Sequence, residues 1–171
     1  MVDHQLGTTL PQELYADEIT LGIVKPHAYS HRMAIENMIT KSGLLIPVRK
    51  FPYTISPSLA RLHYEEHHGK YFYEALVEMM TSGPSEIMIV EGENAIQRLA
   101  DLSGETDPRS AATGTIRHRF GQKDGQIMYN AFHRSFDPDP SKARRAVKRE
   151  ITLYFDREEL PPHIAELLDA L

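Results

Sequence analysis

Cysteine is absent from the 171-residue chain. That excludes disulfides, thiolate zinc sites and cysteine nucleophiles, so any nucleophile has to be histidine, serine, threonine, lysine, tyrosine or a carboxylate. No apolar run approaches the ~18 residues of a membrane span. The opening stretch MVDHQLGTTLPQELYADE has neither a basic start nor an apolar centre, so no signal peptide is expected there and the cytoplasm is the default compartment. Positive charge is not in excess: the net charge of −5 argues against a dedicated nucleic-acid binder. Both standard glycine cradles for phosphate are missing, since nothing matches G-x4-G-K-[ST] and no G-x-G-x-x-G follows a strand.

What is present is the material of one globular domain: hydrophobic residues make up 41% of the chain and charged residues 25%. ITLGIVKP (19–26) and SEIMIVEG (85–92) read as buried strands. LLIPVRKFPYTI (44–55) is extended, with Pro47 and Pro52 pushing it to a sheet edge. Helical spacing covers 31–43, 56–69 (opened by Ser56-Pro57), 70–84, 93–104, 140–155 and 161–171. Residues 105–126 read as a long loop, and 127–134 as a last strand. The order β-α-β-α-α-β-α-loop-β-α fits a doubled split βαβ unit, the ferredoxin-like α+β arrangement, with helices on one face of a mixed sheet. Residues 1–17 are expected to be a flexible arm, 18–155 the domain, and 156–171 a C-terminal extension with a short helix.

Several side chains invite a chemical role. His63 and His67 stand four apart on a predicted helix, a spacing that can clamp a metal, but Tyr64 occupies the place where the zinc-protease motif has glutamate. A solvated helix end accounts for them better. Lys25 closes the first strand and could meet a phosphate. The loop carries Thr106, Arg109, Thr113, Thr115, Arg117 and Arg119, a set of anion-binding groups. The basic run KARRAVKRE (142–150) reads as a solvated face. In MYNAFHRSF (128–136), strand alternation puts Tyr129, Ala131 and His133 on one face and Met128, Asn130 and Phe132 on the other. Taken singly, packed or solvated roles account for every one of these positions.

In combination they look different. LGIVKP (21–26), HYEEHHGKYFYEALVEMMTSGP (63–84), VEG (90–92), SGETDP (103–108), GTIRHRF (114–120), NAFHRS (130–135) and KREITLYF (148–155) closely resemble, in order, the nucleoside diphosphate kinase family. The resemblance implies a ferredoxin-like antiparallel four-stranded sheet with helices packed on it, plus a long nucleotide-cleft and subunit-contact loop. It also implies γ-phosphoryl transfer from a nucleoside triphosphate to a nucleoside diphosphate, with His133 as the phosphorylated nucleophile of a ping-pong cycle. Lys25 would contact phosphate and ribose, and Tyr64 would lie beside the transferred group. Phe72 and Ile127 would sandwich the base. Thr106 and Arg117 would hold phosphate oxygens, Asn130 the ribose hydroxyls, and Ser135 with Glu150 would orient His133. Mg²⁺ would be held mainly by the nucleotide phosphates. A homo-oligomer is implied, a tetramer or hexamer built from a dimer; neither a membrane nor nucleic acid is expected as a partner.

The chain departs from the family pattern at identifiable places. Ala100 stands where a second phosphate-binding arginine is expected, which makes Arg98 and Arg134 the candidate substitutes. His27 replaces an aspartate, and extra residues fall near 121–126 and 136–141. A low-activity nucleotide-binding protein of the same fold, acting as a regulatory or interaction module, is the rival reading.

Overall fold

Strand β1 (Glu18–Val24) runs through the middle of the domain because every residue from Ile19 onward is buried. The computed structural model describes residues 18–171, so the expected arm at 1–17 lies outside the described residues. β1 pairs antiparallel with β3 (Ser85–Gly92) on one side and with β4 (Phe132–Arg134) on the other. β2 (Leu45–Tyr53) pairs antiparallel with β3. The sheet order is β2-β3-β1-β4, so β2 takes the edge that its two prolines foretold. Its register shifts between Leu45 and Val48 and between Lys50 and Tyr53, beside Pro47 and Pro52.

Alternation along β1 divides the core. Ile19, Leu21 and Ile23 face a layer made by α2 (Pro57–His63), α3 (Tyr73–Thr81), α6 (Pro140–Tyr154) and α7 (Pro162–Ala170). Val24 faces the opposite layer, with α1 (Arg32–Lys41) and α4 (Ala95–Ser103). Helices therefore cover both faces of an entirely antiparallel sheet, not one face of a mixed one. The fold is the antiparallel ferredoxin-like α+β class expected from the motifs. Gly22 is required where the layers meet the sheet: a Cβ there would come within 2.6 Å of the Phe132 ring.

Two expectations change near the C-terminal half. The loop at 105–126 contains a short helix, α5 (Ile116–Phe120), whose N-terminus Thr115 caps through its hydroxyl. Its five residues, Ile116 to Phe120, are too short a stretch to show an amphipathic period. The last strand shrinks from 127–134 to Phe132–Arg134. Gln122 N–H donates to the Tyr129 carbonyl and Tyr129 N–H to that of Gln126, which folds the preceding stretch into a turn. Ala131 then sits at φ +71°, which breaks the alternation assumed across Tyr129, Ala131 and His133. The insertion near 136–141 starts a helix: the Asp139 carboxylate accepts from the Ser141 and Lys142 amides, and Pro140 occupies the first turn of α6. Ile164, Ala165 and Leu168 of α7 are buried in the main core.

Candidate active site

His133 projects from β4 opposite Ile23, toward the layer containing α2 and α6. The buried stripe of α6 is Ala143, Val147, Glu150, Ile151 and Tyr154, a helical repeat that carries one carboxylate inward. Glu150 accepts from His133 Nε2 at 2.8 Å and from the Ser135 hydroxyl on the same oxygen. Burial would raise the Glu150 pKa, but the adjacent His133 and the bonds from His133 and Ser135 outweigh it and hold the carboxylate near 2. An ionised carboxylate cannot donate, so Nε2 carries the proton of the bond. In the neutral ring, Nδ1 is left with its lone pair.

Three buried or half-buried cations belong to the same region: Lys25, Arg117 and Arg134. Lys25 is only 5% exposed; its ammonium donates to the Met128 carbonyl at 3.0 Å. Burial, and then the charge of Arg117, pull its pKa down to about 7. Arg117 is buried and donates three bonds, two to Phe132 O and one to Gly104 O. A guanidinium has five N–H donors, so two directions stay open to a ligand. Burial and the neighbouring Arg134 lower Arg117 to about 9. Arg134 is half-buried, lies over the Phe136 ring at 5.1 Å, and has an Nε with no hydrogen-bond partner. Burial lowers its pKa; Glu105 and Asp101 oppose that shift.

The remaining expected residues fall as follows. Tyr64 is buried beside His133, ring centroids 6.0 Å apart, with an unpartnered hydroxyl whose pKa burial pushes up. Asn130 donates to the Thr106 carbonyl at 3.0 Å and leaves a buried Oδ1 unpaired. Thr106 is exposed at the rim, Phe72 is half-buried against His67, and Ile127 is 48% exposed. Arg98 is not brought to the cluster. It donates to the carbonyls of Ser42 and Glu93, beyond the end of the sheet where Glu18 pairs with Gly92. Five residues of β1 separate that end from Ile23 and its partner His133, roughly 17 Å. Of the two candidate substitutes for the missing arginine, only Arg134 stands near Arg117.

Tyr154 and Arg149 carried no expected role, and His63 and His27 take roles other than those expected of them. His63 is buried, not solvated, because α2 ends at that residue and a separate 3₁₀ turn carries His67. Its Nδ1 bonds the Tyr154 hydroxyl at 3.0 Å, and its ring meets His133 edge-on with centroids 4.4 Å apart. Burial, and then the His133 charge, lower His63 to about 3. Arg149 donates to the Leu62 and His63 carbonyls, tying the end of α2 to α6. His27 accepts from the Ala131 amide at 3.0 Å and so braces the left-handed turn before His133. Position four after Glu150 on an inward-facing helix was the available signal for Tyr154.

An oriented imidazole with one open nitrogen, set among buried cations awaiting an anion, is equipment for covalent phosphoryl transfer. Comparisons make the family specific. The family model for nucleoside diphosphate kinase matches residues 18–160. The nucleoside diphosphate kinase of Pyrococcus furiosus is 40% identical over 145 residues, which are 84% of this chain and 86% of that one. A halophilic nucleoside diphosphate kinase from Halobacterium salinarum, solved in complex with CDP, superposes with a TM-score of 0.75 at 37% identity, covering 85% of this chain and 91% of that chain. The Aquifex aeolicus nucleoside diphosphate kinase gives a TM-score of 0.74 at 32% identity, covering 84% and 99%. The chain belongs to the nucleoside diphosphate kinase family, a family of phosphotransferases that need a divalent cation. Among the described residues, no helix is long and apolar enough to cross a membrane.

Proposed function

We propose that this chain moves the γ-phosphoryl group of a nucleoside triphosphate to a nucleoside diphosphate by way of His133. Nδ1 attacks the γ-phosphorus, the Nδ1–P bond forms, and the P–O bond to the departing nucleoside diphosphate breaks. The ring then bears a positive charge, which the Glu150 carboxylate at Nε2 stabilises without taking the proton. A second nucleoside diphosphate reverses the step, which makes the kinetics ping-pong. Lys25, Arg117 and Thr106 bind phosphate oxygens, the Tyr64 hydroxyl sits beside the transferred group, and Asn130 Oδ1 receives a ribose hydroxyl. Phe72 and Ile127 offer apolar surface to the base. Stacking between them is nearly blind to base identity.

The divalent cation is Mg²⁺ in this reading, and it neutralises charge on the nucleotide phosphates. Among the described residues, the carboxylate bonded to His133 is that of Glu150, and it lies at Nε2, not at the Nδ1 that meets the phosphates. The protein's own contribution is therefore charge from Lys25 and Arg117, and the phosphates hold the metal. A homo-oligomer in the cytoplasm completes the proposal; exposed Met33, Leu45 and Phe51 on α1 and edge strand β2 support self-association.

The observation that carries the reading is the His133 Nε2–Glu150 bond, since it leaves Nδ1 open. Incubation with ATP and Mg²⁺ should leave an acid-labile, alkali-stable phosphoryl group on His133. His133→Ala should abolish it and keep nucleotide binding nearly intact, because Lys25, Arg117 and Phe72 supply the contacts. Phosphoenzyme persisting in the mutant would refute the mechanism. Nucleotide binding by wild-type protein with no phosphoenzyme would favour the rival, a binding module.

A further inference from the structure

We infer that His63, His133 and Glu150 form a binding site for a borderline divalent transition metal such as Zn²⁺, and that this metal switches the nucleophile off. One ring nitrogen from each histidine and one carboxylate oxygen all lie within 4.8 Å of one another. No role in phosphoryl transfer requires His63, yet it is 2% exposed and its Nε2 has no hydrogen-bond partner. The Tyr154 hydroxyl sits on the other ring nitrogen at 3.0 Å. When the Nδ1–H tautomer donates to that hydroxyl, Nε2 presents its lone pair to an ion, the arrangement a metal-binding histidine adopts.

The geometry is nearly closed. Zinc bonds of about 2.0–2.2 Å place donors roughly 3.4 Å apart in a tetrahedron. The His133 Nε2–Glu150 pair, at 2.8 Å, is already inside that spacing. The widest pair needs to close by at most about 1.4 Å, a side-chain rotation of some tens of degrees. Two imidazoles and one carboxylate leave a fourth position for water or another exchangeable ligand, and they favour Zn²⁺, Co²⁺ or Cu²⁺ over Mg²⁺.

The consequence for catalysis follows from the proton. Without metal, neutral His133 carries its proton on Nε2 and its lone pair on Nδ1. A metal on Nε2 selects the other tautomer: the proton moves to Nδ1, none is released, and Nδ1 is no longer a nucleophile. This silencing rests on the phosphohistidine reading; the metal site itself does not.

The test separates the two. Full-length protein without nucleotide is titrated with Co²⁺, read by its visible d–d bands, and with Zn²⁺, read by calorimetry. Wild-type protein should bind one equivalent, and Mg²⁺ in excess should not displace it. His63→Gln and His133→Gln should each weaken Zn²⁺ by more than about tenfold, the least loss seen even for partners one shell out. Tyr154→Phe, which keeps the packing, should weaken it by about ten- to a hundredfold. Phosphoenzyme formation from ATP and Mg²⁺ should fall after Zn²⁺ pre-loading and return with a chelator. Wild-type protein that gives no bands and no binding heat overturns the site, as does Zn²⁺ affinity unchanged in Tyr154→Phe and either histidine variant. Stoichiometric binding that depends on these residues, in a protein that never forms phosphoenzyme, upholds the site and sinks the kinase mechanism instead.

Discussion

Lys25 is a cation buried before its anion arrives. With a pKa near 7 in the free protein, it is largely neutral at pH 8. A phosphate beside the ammonium restores the charged form, so nucleotide binding at pH 8 should take up nearly one proton. Calorimetry in buffers of differing ionisation enthalpy measures that uptake directly. It should vanish in Lys25→Met; zero uptake in wild-type protein would mean Lys25 does not meet the phosphates. Arg134 is a second cation of the site, with Nε unpartnered. One charge-assisted contact to a phosphate oxygen is worth about 1.5–3 kcal/mol. If Arg134 makes the contact that Ala100 cannot, Arg134→Ala should lower turnover on the order of ten- to a hundredfold, and Ala100→Arg in that background should recover part of it. Equal turnover in wild-type and Arg134→Ala would leave Arg117 and Lys25 as the protein's whole charge clamp.

At the scale of elements, the site depends on how α4 ends and α5 begins. Gly104 follows α4 at φ +82°, and its carbonyl accepts from Arg117 at 3.1 Å. A Cβ there would sit 2.5 Å from the Thr115 hydroxyl, the group that caps α5. Gly104→Ala should therefore cost about 2 kcal/mol or more, from left-handed backbone strain plus that collision. The midpoint of urea unfolding reads the loss. Because Arg117 hangs from the same carbonyl, the KM for nucleotide should rise along with it. A variant as stable as wild-type would show that this turn relaxes freely.

Across the whole molecule, the long edge strand is the feature that bears on the proposed homo-oligomer. Met33 is 70% exposed, Leu45 54% and Phe51 42%, which together put apolar surface on one side of the fold next to unpaired strand backbone. If the proposed homo-oligomer forms through this face, burial of Leu45 and Phe51 would contribute on the order of 3 kcal/mol or more, over a hundredfold in dissociation constant. The double variant Leu45→Lys, Phe51→Lys should sediment at a smaller mass than wild-type while keeping the circular dichroism of the fold. An unchanged mass would show that this face carries no self-association.

Elements with local instructions were legible from the sequence. Ser56-Pro57 starts α2, the period-free apolar run 85–92 is β3, and Pro47 and Pro52 put β2 on the edge, because caps, prolines and hydrophobic runs act on neighbours within a few residues. The motif N-x-x-H-x-S with its companions marked the family and pointed to His133. Tertiary structure alone decided the rest. Nothing near His63 in sequence signals that α2 would stop there and turn the ring inward against His133 and Tyr154, 91 residues away. Nor could spacing distinguish Arg98 from Arg134: one is held by carbonyls past the far end of the sheet, the other beside Arg117. α5 and the shortened β4 likewise depend on a bond from Arg117 to Phe132 and on His27 bracing Ala131. A buried charge or ring takes its state from whatever the fold packs around it, and those neighbours come from distant parts of the chain.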